Sequence, residues 1–122
     1  MSQTGKKILI FEDNPHIQLL LRTFFEKRGY VVRLEGDGDA AVAVACEFEP
    51  KLILMDIIMP GKNGLEACMD LRAHGVKAPI VLLTSKSTHE DQERGLAAGA
   101  NAYVFKPFNP ARLEQIVIPL LS

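Results

Sequence analysis

The chain has 122 residues, of which 48% are hydrophobic, so it is long enough to form one domain with a substantial hydrophobic core. Its formal net charge of -1, from 14 basic and 15 acidic side chains, argues against direct binding of DNA or RNA, because nucleic-acid-binding domains usually carry a basic excess. The apolar runs are all shorter than the ~20 residues of a membrane span, and the first residues lack the pattern of a signal peptide.

We therefore expect residues 1–122 to form a single cytoplasmic domain that contacts neither nucleic acid nor membrane. Cys46 and Cys68 lack the spacing of metal ligands, and both fall in helical patterns. We predict that both are reduced thiols, as in most cytosolic proteins, with a disulfide between them as the alternative.

Short β-rich runs alternate with helical patterns along the chain. The first strand is predicted at Lys6–Phe11. The first helix, capped by Asn14 and ended by Gly29, places apolar side chains on one face at Ile17, Leu20, Leu21 and Phe24. The next predicted elements are the strand Tyr30–Leu34, the helix Asp37–Phe48 and the strand Lys51–Met55.

The second half of the chain repeats the alternation. A helix is predicted from Asn63 to His74, and a strand from Pro79 to Thr84. Thr88 and Asp91 form a capping-box-like start to the fourth helix, which Gly99 ends. The last elements are the strand Ala102–Phe105 and a helix from Pro110 whose end Pro119 is predicted to fray or kink.

Five βα units predict an α/β fold with a doubly wound parallel sheet covered by helices on both faces. Right-handed crossovers place the carboxyl ends of all strands at one edge, where such sheets bind their ligands. The residues predicted at that edge are Glu12, Asp13, Asp56, Thr84 and Lys106.

Three carboxylates at one edge repel one another unless a cation compensates their charge. Oxygen ligands without sulfur or histidine favour Mg²⁺, which also binds substrate phosphate. Asp56 lies on the central strand, between the acidic pair and the Thr84 and Lys106 side chains, and is the best candidate nucleophile toward phosphorus. The set predicts phosphoryl transfer, which depends on positioning and on neutralising the phosphoryl oxygens.

Taken together and in this order, these motifs resemble the receiver domains of two-component response regulators. The resemblance runs from about Lys6 to Leu121, and its motifs are the acidic pair, "DIIMPGKNG" from Asp56, Thr84, and "YVFKPF" with Lys106. It implies a flavodoxin-like (βα)5 fold whose five-stranded parallel sheet has the order 2-1-3-4-5.

The resemblance also implies a role for each site residue. Asp56 would accept a phosphoryl group from a histidine kinase or a histidine phosphotransfer protein, and Thr84 and Lys106 would bind the phosphoryl oxygens. The chain would act as a signalling switch and would catalyse only its own phosphorylation and dephosphorylation. The ligands of Mg²⁺ would be Glu12, Asp13, Asp56 and the backbone carbonyl of Ile58.

Tyr103, three residues before Lys106, matches the family's switch aromatic, whose ring moves inward as Thr84 is drawn toward the phosphate. The change would reach a downstream output domain or protein through the surface of the fourth helix, fifth strand and fifth helix. Plain strand packing is the alternative for Tyr103. By the same resemblance the Lys106–Pro107 bond would be cis, while Ile58 and Lys86 would occupy the positions that tune the lifetime of the phosphoryl group.

Three other functions compete with this interpretation. A Mg²⁺-dependent phosphohydrolase would need an acid two residues after its nucleophile, where the chain has Ile58. A flavodoxin-like nucleotide binder would need a glycine- or hydroxyl-rich loop after the first strand, where the chain has "EDNP". A degenerate receiver acting only as a binding module would not need the complete acidic, hydroxyl and lysine set.

Overall fold

The computed structural model describes residues 5–85 and 89–121. Within these ranges the strands β1 to β5 are Lys7–Phe11, Val31–Glu35, Leu52–Asp56, Ile80–Thr84 and Ala102–Phe105. The helices α1 to α5 are Pro15–Glu26, Ala41–Phe48, Gly64–Ala73, His89–Ala97 and Pro110–Leu121. A 3-10 turn at Gly38–Ala40 precedes α2.

The strands form one parallel sheet in the order β2-β1-β3-β4-β5, which confirms the predicted fold class and strand order. From β1 the strand order runs to β2 on one side and to β3 on the other. The carboxyl ends of β1 and β3 therefore lie next to each other at this switch point. In the register of the sheet, Phe11 pairs with Met55 and Asp56 pairs with Leu83. The acidic pair and Asp56 are thereby brought to one edge.

The core has two layers because each central strand buries side chains on both faces. On one face the sheet packs against α1 and α5, and the strand residues involved include Ile8, Ile10, Leu52, Leu54, Val81 and Leu83. On the other face it packs against α2, α3 and α4, through residues that include Leu9, Phe11, Ile53, Met55, Ile80 and Leu82. This alternation explains why β3 and β4 read as continuous apolar runs.

Several predicted boundaries differ from the structure, most of them by a single residue. The second strand begins at Val31 and ends at Glu35, one residue later than predicted at both ends. The helix predicted from Asp37 starts instead as the 3-10 turn, and α2 begins only at Ala41. The last helix continues through Pro119 to Leu121. Thr88, the predicted cap of the fourth helix, lies outside the described residues.

The predicted apolar face of α1 is partly wrong. Leu20 is 48% exposed, whereas Phe25, which lies outside the predicted face, is fully buried together with Leu21. Phe25 packs edge-on against the rings of Phe24 and Tyr30, with centroids 5.2 and 5.4 Å away. The apolar run from Leu19 to Leu21 is compatible with more than one helix rotation, and these aromatic contacts decide which is adopted.

Both cysteines are free thiols, as predicted, with Cys46 exposed and Cys68 buried. Burial raises the pKa of the Cys68 thiol above its ordinary value. In the described part of the chain, the helices are too short or too polar to cross a membrane.

Candidate functional site

Three carboxylates meet at the carboxyl edge of β1 and β3. Glu12, Asp13 and Asp56 each present one oxygen, and these oxygens all lie within 4.8 Å of one another. Glu12 and Asp56 are only 1% and 5% exposed, whereas Asp13 is open to solvent. The cluster therefore has a buried inner side and an open outer side, as a site that binds a soluble ligand needs.

Lys106 bridges the two buried carboxylates. Its Nζ donates to Glu12 Oε1 at 2.8 Å and to Asp56 Oδ2 at 2.5 Å. Burial disfavours the charged form of the lysine, but the hydrogen bonds and charges of Asp56 and Glu12 outweigh this effect and raise the pKa of Lys106. Burial also disfavours the charged form of Glu12 and so raises the pKa of its carboxyl, although the hydrogen bond from Lys106 opposes this rise. One ammonium thus offsets part of the charge of two buried acids.

Backbone N–H groups orient both carboxylates. Asn14 N donates to Glu12 Oε2 at 3.1 Å, and Ile58 N donates to Asp56 Oδ1 at 3.0 Å. The Gln18 side-chain amide donates to the Glu12 carbonyl oxygen, which ties the loop after β1 to α1. These bonds hold each acid in one orientation, since a carboxylate that accepts a fixed N–H loses rotational freedom.

The ends of β4 and β5 bring Thr84 and Lys106 beside the acids. Thr84 is the last residue of β4 and is 1% exposed. The backbone N–H of Lys106 donates to the Thr84 carbonyl oxygen at 2.8 Å, so the two residues are held at one level of the sheet. The Lys106–Pro107 peptide bond is cis, as the family resemblance implied.

Tyr103 on β5 lies partly inside the structure. Its side chain is hydrogen-bonded to that of Thr84, and its ring packs against the core layer below α4. Burial raises the pKa of the Tyr103 hydroxyl, with a smaller contribution from the negative charge of Asp91. The ring also makes an edge-on contact with Phe105, with centroids 5.4 Å apart. Tyr103 therefore connects the site to the surface formed by α4 and β5.

A contact that the sequence pattern did not reveal supports the loop between β3 and α3. The 3-10 turn before α2 packs against this loop: Gly38 N donates to the Pro60 carbonyl oxygen at 3.2 Å, and Lys62 N donates to Asp39 Oδ1 at 3.1 Å. A Cβ on Gly38 would lie 1.9 Å from the Lys62 carbonyl oxygen. The only sequence signal was the pattern "DGD", which is typical of turns in general.

The far end of the same loop is fixed by the start of α3. Asn63 caps the helix in a reciprocal capping box with Glu66. Gly64 N donates to the Ile57 carbonyl oxygen at 2.8 Å, and a Cβ on Gly64 would lie 2.5 Å from the Asp56 carbonyl oxygen. Gly64 thus serves backbone packing. The side chain of Ile58, between these supports, is 57% exposed and offers no proton donor.

The donor set fits a hard divalent cation. Glu12, Asp13 and Asp56 supply carboxylate oxygens only, and Mg²⁺ prefers such ligands while retaining some of its water. The open side of the cluster, at Asp13, leaves room for water or a phosphoryl oxygen. The ammonium of Lys106 and the hydroxyl of Thr84 suit the remaining negative charge of a phosphoryl group.

Comparison with known proteins agrees with this chemistry. The family model for the response regulator receiver domain matches residues 8–118. This chain belongs to that family. The receiver domain is a phosphorylation-dependent switch of two-component signalling rather than a general catalyst. The resemblance inferred from its motifs is thus confirmed.

Among curated proteins, the receiver domain is 37% identical over 122 residues to the transcriptional regulatory protein ResD of Bacillus subtilis, a match that covers 99% of this chain and 50% of ResD. It is also 37% identical over 113 residues to the DNA-binding response regulator MtrA of Mycolicibacterium smegmatis, covering 93% of this chain and 49% of MtrA. The chain spans about half the length of the curated relatives it matches.

Solved structures give the same result. The BeF3-activated N-terminal receiver domain of Klebsiella pneumoniae RstA superimposes with a TM-score of 0.90 at 36% identity, covering 95% of this chain and 98% of that one. The receiver domain of the sensor histidine kinase PA1611 from Pseudomonas aeruginosa, with magnesium coordinated in its active site cleft, gives a TM-score of 0.87 at 37% identity, covering 97% of this chain and 98% of that one.

Lys86, the second predicted tuning position, lies outside the described residues.

Proposed function

We propose that Asp56 is the phosphoacceptor of this receiver domain and that its donor is a phosphohistidine on a histidine kinase or a histidine phosphotransfer protein. One observation carries the proposal: Asp56 is a buried carboxylate at the end of the central strand, and its two oxygens are held by different donors. Oδ1 accepts from Ile58 N, and Oδ2 accepts from Lys106 Nζ. A carboxylate oriented in this way presents a fixed lone pair to an incoming phosphorus atom.

Glu12, Asp13, Asp56 and the backbone carbonyl of Ile58 would hold Mg²⁺. When bound, Mg²⁺ supplies positive charge that neutralises the phosphoryl oxygens and offsets the repulsion among the carboxylates. Asp13 and Asp56 would be direct ligands, and Glu12 would act largely through water. Support comes from the three carboxylate oxygens within 4.8 Å of one another and from the magnesium named for the PA1611 receiver domain.

In the transfer step, an Asp56 carboxylate oxygen forms a bond to phosphorus as the phosphorus–nitrogen bond of the donor histidine breaks. The electron pair of that bond stays on the imidazole nitrogen, which takes up a proton to become neutral histidine. Lys106 is close enough to follow the phosphoryl group, since its Nζ already lies 2.5 Å from Asp56 Oδ2. Thr84 donates its hydroxyl hydrogen to another phosphoryl oxygen.

Phosphorylation would shift an equilibrium between two arrangements of Thr84 and Tyr103. These side chains are already hydrogen-bonded, so a movement of Thr84 toward the phosphoryl group changes the position that suits the Tyr103 ring. The ring lies between β5 and α4, and its movement alters the α4–β5–α5 surface on which an output domain or protein would read the state.

Residues 1–122 would form one receiver domain that works in the cytoplasm and does not itself contact nucleic acid. Its catalysis would be limited to phosphorylation and dephosphorylation of its own Asp56. The output would lie in another domain or protein, and the transcriptional regulatory protein ResD and the DNA-binding response regulator MtrA support a transcriptional output as one form of it.

The test is incubation with Mg²⁺ and acetyl phosphate, followed by intact mass spectrometry. The native chain is expected to gain the mass of one phosphoryl group, and Asp56→Asn is expected to gain none. Asp70→Asn is the matched control, because Asp70 is a partly exposed acid on α3 that is paired with Lys62 away from the site. Equal uptake by the native chain and Asp56→Asn, or no uptake with any donor, would overturn the proposal.

A further inference from the structure

Helix α4 is attached to the sheet at an unusual residue. Among its nine residues, His89–Ala97, the buried one is Gly95. Glycine in a helix interior is less favourable than alanine, because it loses more backbone freedom on folding. The glycine therefore needs a packing reason, and that reason is the neighbouring strands.

The backbone of α4 lies directly against two side chains at Gly95. A Cβ on this residue would be 2.9 Å from Leu82 Cδ1, 2.9 Å from Tyr103 Cδ2 and 3.1 Å from Tyr103 Cε2. The two distances of 2.9 Å are shorter than carbon atoms tolerate and the third is tight, so the neighbouring side chains would have to move. Leu82 is fully buried in the centre of β4, whereas Tyr103 is half-buried. The Tyr103 ring is the group with space to move outward, whereas the Leu82 contact involves only Cδ1, the free end of that side chain.

The inward ring is the one that contacts Thr84. In this position the Tyr103 side chain is hydrogen-bonded to Thr84, and one ring edge fills the space that a Gly95 side chain would take. A ring pushed outward loses its place against Gly95 and the geometry of its bond to Thr84.

We propose that Gly95 is a positioning residue of the switch: by lacking a side chain it admits the Tyr103 ring against α4, and it thereby sets the balance between inward and outward rings. This inference rests on the proposed function for its meaning in signalling, since it concerns the residue that relays the phosphorylated state. The position of the ring itself is measurable without phosphorylation.

The composition of the chain makes Tyr103 easy to observe. The sequence has two tyrosines and no tryptophan, so Tyr30→Phe leaves Tyr103 as the single strongly fluorescent side chain. The Tyr30 hydroxyl is buried and finds no hydrogen-bond partner among the described residues. Its removal therefore breaks no bond in that part of the structure, and Tyr30→Phe is the parent for all variants.

The experiment measures quenching of Tyr103 fluorescence by acrylamide in the Tyr30→Phe parent and in Tyr30→Phe with Gly95→Ala. We expect the ratio of quencher-accessible to protected Tyr103 rings to rise at least about fivefold in the second protein. A rise of this size corresponds to the smallest usual free-energy penalty for inserting a methyl group into a well-packed core. Leu96→Ala in the same parent is the control, since Leu96 is the next residue of α4 and is 55% exposed. An unchanged ratio in Gly95→Ala, or an equal rise in Leu96→Ala, would overturn the proposal.

A second variant covers the case in which Gly95→Ala does not fold. Adding Tyr103→Leu removes the ring, so the pair Gly95→Ala with Tyr103→Leu is expected to fold by circular dichroism. If the pair also fails to fold, the Cβ clashes with Leu82 rather than with the ring, and the inference is refuted. Phosphoryl uptake by the Tyr30→Phe parent is measured separately by intact mass: its absence counts against the proposed function, while quenching alone decides the place of Gly95.

Discussion

Lys106 offers the sharpest test of the site's electrostatics, through the substitution Lys106→Met. Methionine keeps most of the apolar stem and removes the ammonium that lies 2.8 Å from Glu12 and 2.5 Å from Asp56. The variant leaves two carboxylates, 1% and 5% exposed, side by side without a cation. Removing one partner of a buried ion pair usually costs about 3–5 kcal/mol of unfolding free energy.

We expect the lower end of that range, about 3 kcal/mol, because the Lys106 side chain keeps 20% of its surface exposed and water screens part of the interaction. At about 4 °C per kcal/mol for a chain of this size, Tm falls by about 12 °C. The folded-state pKa of Lys106 is raised above its ordinary 10.5, so the contribution is fully present at neutral pH and is lost only as pH rises through the raised value.

The assay is thermal unfolding followed by circular dichroism, in EDTA and in excess Mg²⁺. Without the competing ammonium, Mg²⁺ is expected to stabilise Lys106→Met more than the native chain, and a concentration of 100 times Kd adds about 2.7 kcal/mol. Lys77→Met is the control, because Lys77 is exposed and remote from the acids. A variant as stable as the native chain in EDTA, or one that gains no more from Mg²⁺ than the native chain does, would refute the reasoning.

Three further predictions concern other parts of the molecule. Gly38→Ala is expected to lower unfolding free energy by about 1–3 kcal/mol or more, because its Cβ would meet the Lys62 carbonyl oxygen at 1.9 Å, and urea unfolding measures the loss. A thiol reagent such as Ellman's reagent is expected to modify exposed Cys46 in the native protein and to reach Cys68, whose pKa burial raises, only after unfolding; two fast equivalents would contradict this. Burial raises the pKa of Glu12 above 4.5, and Mg²⁺ competes with the proton for this carboxylate. Mg²⁺ affinity measured by calorimetry is therefore expected to fall by up to ~tenfold per pH unit as the pH drops through that pKa. A pH-independent affinity would exclude Glu12 from the site.

The sequence predicted the strands because their apolar runs are short, distinct and bounded by turn residues. β5 matches its predicted range, and β1, β3 and β4 differ by a residue at one end or both. The site followed from them, because right-handed crossovers place all carboxyl ends at one edge. Glu12, Asp56 and Lys106 needed no further information to be assigned to that edge, and the structure brings them within hydrogen-bond distance.

The rotation of α1 about its axis could not be derived in the same way. Leu19, Leu20 and Leu21 are consecutive, so apolar spacing alone accepts several faces of the helix. The contacts of Phe25 with Tyr30 bury one face and leave Leu19 and Leu20 exposed, at 64% and 48%. Such a choice depends on residues from other elements, which local periodicity does not contain.

The same holds for the polar contacts that join loops distant in the sequence. Arg72 lies in the helix predicted from Asn63 to His74, and its guanidinium donates to the Asn101 side chain and to the carbonyl oxygens of Val76, Ala78 and Gly99. The 3-10 turn at Gly38 and the glycine at position 95 also acquire their meaning from a neighbour across space.

By itself, then, the sequence determined which side chains lie at the site edge and are proposed to carry the chemistry, because residue type and strand-end position depend on local pattern and on the handedness of the chain. The tertiary structure alone decided how those side chains are held. Orientation depends on close contacts between segments far apart in the sequence, such as Lys106 with Glu12 and Gly95 with Tyr103, and packing at that distance leaves no periodic signal along the chain.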